Sequence, residues 1–475
     1  MSSITAPSPA VDPGGPLVPA ARGRRRSELI LLVFAFGLVA FAFANVGYSL
    51  KGRLPSSLAE FMIVFIVIMI VGHLAMRRFA PYADPLLLPL AAVLNGLGIV
   101  MTYRLAAQGN LLSAPLTASA TSIQILYSAI GIGCFVAVLA FIREPRVLQR
   151  YTYTLGAIGI VLIALPAMLP KSISEVANTG ALIQIRLGSF TIQPEEFAKL
   201  ALAISFAGYL VAKSQPLALV GRRVLGIGLP RARHLGPILL AWAASLLLLV
   251  FESDVGTSAV FMGLFVAMLY IATSRTSWLL LGFVMFVAGA FAAARLFSHV
   301  GERFTVWLHP FTTANAEGIA FQPNQGLYGM ASGGLLGKGL GGGQPYITPL
   351  VQSDLVFTAF GEELGLAGAM AILLIYGLIV QRGLSTALLV KDPFSKLLAG
   401  GLSFMLALQV FVIVGGVTRL IPLTGITTPF LSQGGSSLVA SWILIALLAR
   451  LSDAARRPAP RPIQEEGLTQ VVSLQ

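Results

Sequence analysis

A chain of 475 residues that is 56% hydrophobic and only 11% charged is too apolar for a soluble domain, where about a quarter of the residues carry charge. The net charge of +13 would suggest nucleic acid as the partner of a soluble chain, but in a membrane protein the positions of the charges matter more than their sum, and no nucleic acid is expected. One cysteine, Cys134, excludes an intramolecular disulfide and a cysteine-based metal site.

Residues 1–27 are rich in Pro, Gly, Ser and Ala and read as a disordered cytoplasmic tail. A full-length apolar stretch follows, which reads as an anchor rather than a removed signal peptide. A span needs about 20 mostly apolar residues. Twelve stretches qualify, at 28–48, 58–76, 84–106, 121–142, 151–169, 193–213, 235–251, 254–273, 277–296, 354–381, 396–422 and 429–450. Residues 453–475 form a second tail. If the N-terminus is cytoplasmic, 22 of the 32 Lys and Arg fall on that side, among them Arg24, Arg25, Arg26, Arg143, Arg146, Arg150 and Arg456. The other loops keep few, chiefly Lys51, Arg53, Lys171, Arg186, Arg303 and Lys338. The positive-inside rule therefore places both termini in the cytoplasm and the long loop 297–353 outside. A loop of that length in a compact helical protein reads as functional.

Four stretches carry the uncommon polar residues. In "LLLLVFESDVGTSAVF", Glu252 and Asp254 stand between two apolar runs. Ser253 or Asp254 suits the N-cap of the following helix, and an ionised Asp there can also act as a base. In "IQPEEFAKLALAISFAGYLVAK", Glu196 and Lys199 lie three apart on one helix face. They form either an interfacial ion pair or part of a wet cavity. "GGLLGKG", residues 333–339, resembles a phosphate-cradling loop but has Gly339 where Ser or Thr would hold magnesium. Its backbone N–H groups and Lys338 suit a pyrophosphate; a flexible lid is the plainer reading. In "GGVTRLIPLTGITTPFLSQGGSSLVASW", residues 415–442, Pro and Gly interrupt a helix beside Arg419. Such a break survives at membrane depth only where protein or water covers it, and a transporter's broken helix would look the same.

Together these stretches resemble the SEDS family of polytopic peptidoglycan polymerases, from about Gln193 to Arg450. "QPEEFAKLAL", "DVGTS", "GLLGKGLG", "SDLVFTAFGEELG" and "PLTGITTPFLSQGGSSL" follow in the family's order. "IVGGVTRLIPLTG" is closer to the actinobacterial elongation branch (RodA type) than to the division branch (FtsW type). Ser253 replaces the usual Pro, Glu252 a Gln, and His309 a common Asp. The resemblance implies an all-α polytopic fold, with a ten-span core at 81–452 behind two added spans at 28–80. It implies a multi-pass enzyme of the cytoplasmic membrane that joins lipid II into a growing glycan strand, with Asp254 as the essential carboxylate. Glu196, Lys199, Arg303, Lys338, Asp354, Arg419 and Ser436 are the expected substrate contacts. A divalent cation, Mg or Mn, is a possible cofactor, and a class B penicillin-binding protein is the implied partner. A lipid II flippase and a scaffold for such a partner are the competing readings.

Overall fold

The computed structural model describes residues 21–108, 119–170, 174, 184–187, 190–218, 220–224, 227–230 and 255–458. The long helices are α1 (Ala21–Lys51), α2 (Leu58–Phe79), α3 (Leu87–Gln108), α4 (Ser119–Phe141), α5 (Thr152–Met168) and α6 (Pro194–Ala218). They continue with α7 (Val255–Thr273) and α8 (Thr276–Leu296). The long loop then supplies α9 (Ser298–Leu308), α10 (Thr313–Ala316) and α11 (Phe321–Gly333). Finally come α12 (Val356–Leu389), α13 (Pro393–Val417) and α14 (Gly435–Arg456). Two short antiparallel hairpins, β1 (Ile185–Leu187) with β2 (Phe190–Ile192) and β3 (Val220–Val224) with β4 (Ile227–Pro230), are the strands among the described residues.

Ten of the described helices are long and apolar enough to cross a membrane. α6, the sixth expected span, is a helix of 25 residues that carries Glu195, Glu196 and Lys199 at its head. The expected span 235–251 lies outside the described residues. Boundaries move where helix breakers decide them. α13 stops at Val417, short of the expected 422, and α14 starts at Gly435 rather than 429. Between them, residues 418–434 carry Arg419 and Phe430 at positive φ, 62° and 65°. α12 runs eight residues beyond the expected 381, and Gly365 at φ 68° kinks it near its head.

The bundle has two ends. At the end holding the head of α1 and the tail of α14, Asp84 pairs with Arg456 at 2.9 Å, and the carboxylate of Asp453 accepts from the Tyr82 backbone N–H at 2.8 Å. There Glu28 of α1, fully buried, holds Arg25 and, at 2.7 Å, His73 of α2. These contacts join the two leading helices to each other, and Arg25 donates to the Ala83 carbonyl at the entry to α3. α3, α7, α13 and α14 are largely buried, whereas α5 and α8 face outward. The opposite end receives the long loop and the break between α13 and α14, and Glu196, Lys199, Arg303, Lys338, Asp354, Arg419 and Ser436 lie toward it.

Candidate active site

The break between α13 and α14 organises this end. Tyr376 of α12 donates its hydroxyl to the Pro429 carbonyl. Phe430 is buried edge-on against Trp442, at 5.3 Å between ring centroids. α3 approaches the break so closely that a Cβ on Gly98 would stand 2.3 Å from the Phe430 carbonyl oxygen. The non-helical backbone is thus covered by protein, as a break at membrane depth requires.

Beneath the break, α6 delivers Glu196 and Lys199, paired at 2.9 Å and both buried. Lys199 also donates to the Gln409 side-chain oxygen of α13 at 3.4 Å. Gln409 in turn donates to the Thr427 carbonyl at 3.2 Å, and the Thr427 hydroxyl donates to Glu196 at 3.5 Å. The four residues, with the Thr427 backbone carbonyl as one link, close a ring that joins α6, α13 and the break. A cavity of about 20 Å³ lies against it, roughly the room one water needs. Gln409 and Thr427 were not among the expected residues, although an amide inside an apolar span was the available signal.

Above the break lies Arg303 of α9, which donates to the Thr424 carbonyl at 2.7 Å and to that of Leu423 at 3.4 Å. Its guanidinium covers Gly425, whose φ of 79° suits glycine. Arg303 also faces Asp354, a partly buried carboxyl just before α12. Burial pushes the Asp354 carboxyl above the ordinary aspartate range; the Ser353 hydroxyl, at 2.8 Å, and the Arg303 charge pull the other way. The Ser353 carbonyl accepts from the Ser432 hydroxyl, and the Gln352 carbonyl accepts from the Gln433 N–H at 2.8 Å. Asp354 is thereby tied to the break from the α12 side.

Arg419 and Trp307 exchange two hydrogen bonds, the indole N–H to the Arg419 carbonyl at 3.0 Å and the guanidinium to the Trp307 carbonyl at 2.9 Å. The Arg419 guanidinium also lies 5.2 Å from the Phe311 ring centre. Ser436, at the head of α14, accepts from the Gln193 N–H at 2.8 Å and so fastens the start of α6.

In the glycine-rich loop, several of the groups expected to cradle an anion have partners within the chain. Lys338 pairs with Glu362 at 3.0 Å, and Glu362 also accepts from the Gln344 N–H at 2.8 Å. Glu363 accepts from the Gly341 N–H at 3.0 Å and pairs at 2.7 Å with Arg104 of α3, both side chains fully buried. The chain's own carboxylates already occupy donors that a pyrophosphate would use. Arg104 and Glu363 were missed, although ionisable residues inside apolar spans are themselves a signal. Asp254, the expected essential carboxylate, lies outside the described residues, as does Glu252. Two residues further on, a Cβ on Gly256 would meet Thr424 and Ile426 at 2.6 and 2.4 Å, so the head of α7 abuts the break.

With this geometry in place, the relatives can be compared. The family model for FtsW, RodA and SpoVE, described as "Cell cycle protein", matches residues 84–457. The peptidoglycan glycosyltransferase RodA of Mycobacterium bovis is 46% identical over 447 residues, 94% of each chain. A probable peptidoglycan glycosyltransferase FtsW of Geobacter metallireducens is 30% identical over 323 residues, 68% of this chain and 82% of its own. A solved chain described by "Structural coordination of polymerization and crosslinking by a peptidoglycan synthase complex" superposes with a TM-score of 0.52 at 22% identity. That superposition covers 84% of this chain and 98% of the other, and supports the fold. The chain belongs to the FtsW/RodA/SpoVE family of multi-pass membrane proteins. Within it, the chain is more similar to mycobacterial RodA than to FtsW.

Proposed function

We propose that this protein is a peptidoglycan glycosyltransferase of the elongation type, polymerising lipid II at the outer face of the cytoplasmic membrane with both termini inside. The names of its relatives support the activity, and the clustering of basic residues at the end that holds the head of α1 and the tail of α14 supports the orientation. The acceptor's GlcNAc 4-hydroxyl attacks the donor's anomeric carbon as the bond to the lipid pyrophosphate breaks. A base takes the hydroxyl proton, and a positioned base contributes roughly 10²–10⁴-fold. The leaving pyrophosphate gains negative charge, which calls for cations aimed at it.

The base is Asp254, the essential carboxylate that the resemblance implies; Asp354, a described carboxyl tied to the break, is the alternative. The observation that carries this is the head of α7, which begins one residue after Asp254 and abuts the break at Thr424 and Ile426; Asp354 faces Arg303, and burial raises its carboxyl above the ordinary aspartate range. Arg303, at the break on the Thr424 and Leu423 carbonyls, is the proposed cation for the leaving group; Lys338 and Arg419 are engaged with Glu362 and Trp307. Glu196, Lys199 and Ser436 act by holding the break in place. A divalent cation, Mg or Mn, would add positive charge at the leaving pyrophosphate; among the described residues no three His, Cys, Asp or Glu side chains gather as metal ligands.

The test is polymerisation of lipid II by purified Asp354→Asn and Asp254→Asn proteins in detergent. Loss with Asp254→Asn and retention with Asp354→Asn supports Asp254 as the base; the reverse assigns the base to Asp354. Wild type that makes no glycan without a two-sided membrane would favour the flippase reading. A class B penicillin-binding protein is the proposed partner, because the solved chain that shares the fold is described as part of a synthase complex joining polymerisation to crosslinking.

A further inference from the structure

The end of the bundle away from the break carries a second concentration of charge that the reaction does not use. Between α4 and α5 the chain makes a 3-10 helix, Pro145–Tyr151, which packs on α6, α13 and α14. Arg143, Arg146 and Arg150 are all exposed there, Arg146 with three-quarters of its side chain in the open. Arg146 reaches Asp392 at 3.7 Å, which brings the head of α13 alongside and with it the exposed Lys391 and Lys396. Asp392 is also engaged as the N-cap of α13, accepting from the Ser395 N–H at 2.9 Å. Five positive charges thus face two negative ones, Glu144 and Asp392.

The apolar residues around these bases say what covers them. Phe141, Val147, Tyr151 and Tyr153 are 86, 45, 53 and 73% exposed. They continue directly into the outward faces of α4 and α5, where Ile130, Ile158 and Ile160 are exposed as well. Exposed aromatic rings at the ends of spans sit at the level of lipid headgroups, and bases interleaved with them attract anionic lipid. A soluble acidic partner would not account for an apolar rim that runs into the bilayer-facing surface.

We propose that this patch binds the phosphate headgroups of anionic phospholipids, with Arg143, Arg146 and Arg150 on one side and Lys391 and Lys396 on the other. The surface lies at the opposite end of the bundle from the break and needs no contact with the polymerisation site. It is a lipid site on the face where α1 begins and α14 finishes, distinct from any site for the lipid-linked sugar.

The experiment uses the full-length protein in detergent, titrated with phosphatidylglycerol or phosphatidylcholine and read by native mass spectrometry. Wild type is expected to bind phosphatidylglycerol at least about tenfold more tightly than phosphatidylcholine, since each base near a headgroup contributes to the attraction. The triple variant R143Q/R146Q/R150Q and, independently, K391Q/K396Q should lose most of that preference. R77Q/R78Q, which neutralises two exposed bases on α2 at the same end, should keep it. Unchanged preference in both patch variants overturns the proposal. An equal loss in R77Q/R78Q also overturns it, because the attraction would then be diffuse charge rather than a site. Elution of every variant at the wild-type position on size exclusion, with an unchanged melting temperature, establishes that the proteins being compared are folded.

Discussion

Trp307 and Arg419 stand 112 residues apart and exchange hydrogen bonds in both directions, each donating a side-chain N–H to the other's carbonyl. Arg419 takes a positive φ of 62° to do so, a conformation that costs a non-glycine residue of order 1–3 kcal/mol and persists only when its surroundings hold it. The exchange fixes α9, and therefore Arg303, to the break.

Trp307→Phe keeps the ring and removes one donor. A single hydrogen bond contributes about 0.5–1.5 kcal/mol. The expected result is therefore a polymerisation rate lowered roughly two- to tenfold, with a melting temperature close to wild type. A loss as deep as that expected of Asp254→Asn would mean that Trp307 itself touches substrate.

The pH profile tests the base. The alternative base, Asp354, has a carboxyl above the ordinary aspartate range; with Asp354 accepting the proton, kcat/KM would fall on the acid side at a pH higher than for an exposed aspartate. Arg303 opposes the rise, and Arg303→Gln should move that limb further up. Stability changes in the opposite sense. Between the unfolded and folded pKa values the folded state holds the extra proton, so this group's contribution to stability is lost as pH rises through that interval. An acid limb at the same pH in wild type and Arg303→Gln would remove Asp354 from the proton transfer.

The pair beneath the break is tested through a cycle. Glu196→Gln or Lys199→Met alone leaves one buried charge without its partner, which costs about 3–5 kcal/mol. The double variant removes both charges and should recover much of that loss in thermal unfolding. If the singles and the double add independently, the ring of contacts with Gln409 and Thr427 does not couple them.

Arg104→Met strands Glu363 in the same way, and Glu363 is one of the two carboxylates that hold the glycine-rich loop. Trypsin should then cut after Lys338 faster than in wild type, because cleavage tracks the population in which the loop has opened. Equal cleavage rates would show that Glu362 alone holds the loop.

Much of the architecture was legible in the sequence, because a span declares itself by length and composition: eleven of the twelve expected spans fall on described helices. The order of motifs gave the family. The long loop was harder to read. Its glycines suggested flexibility, yet α9 has an apolar spacing, Val300, Phe304 and Trp307, that marks an amphipathic helix. The pairing of Lys338 with Glu362 was hidden because the two meet only when the loop folds onto the head of α12. The contact between Trp307 and Arg419 leaves no local pattern at all. Charges inside spans, such as Arg104, could have been singled out from their position alone.

The ring of Glu196, Lys199, Gln409 and Thr427 contains one negative and one positive charge. A transmembrane voltage does work only on net charge that moves through it, about 2.3 kcal/mol per elementary charge per 100 mV. A neutral ring that moves as a unit couples to that voltage only through its small dipole. The ring, unlike the positively charged Arg303 and Arg419 at the same break, is therefore little affected by changes in the energised state of the membrane.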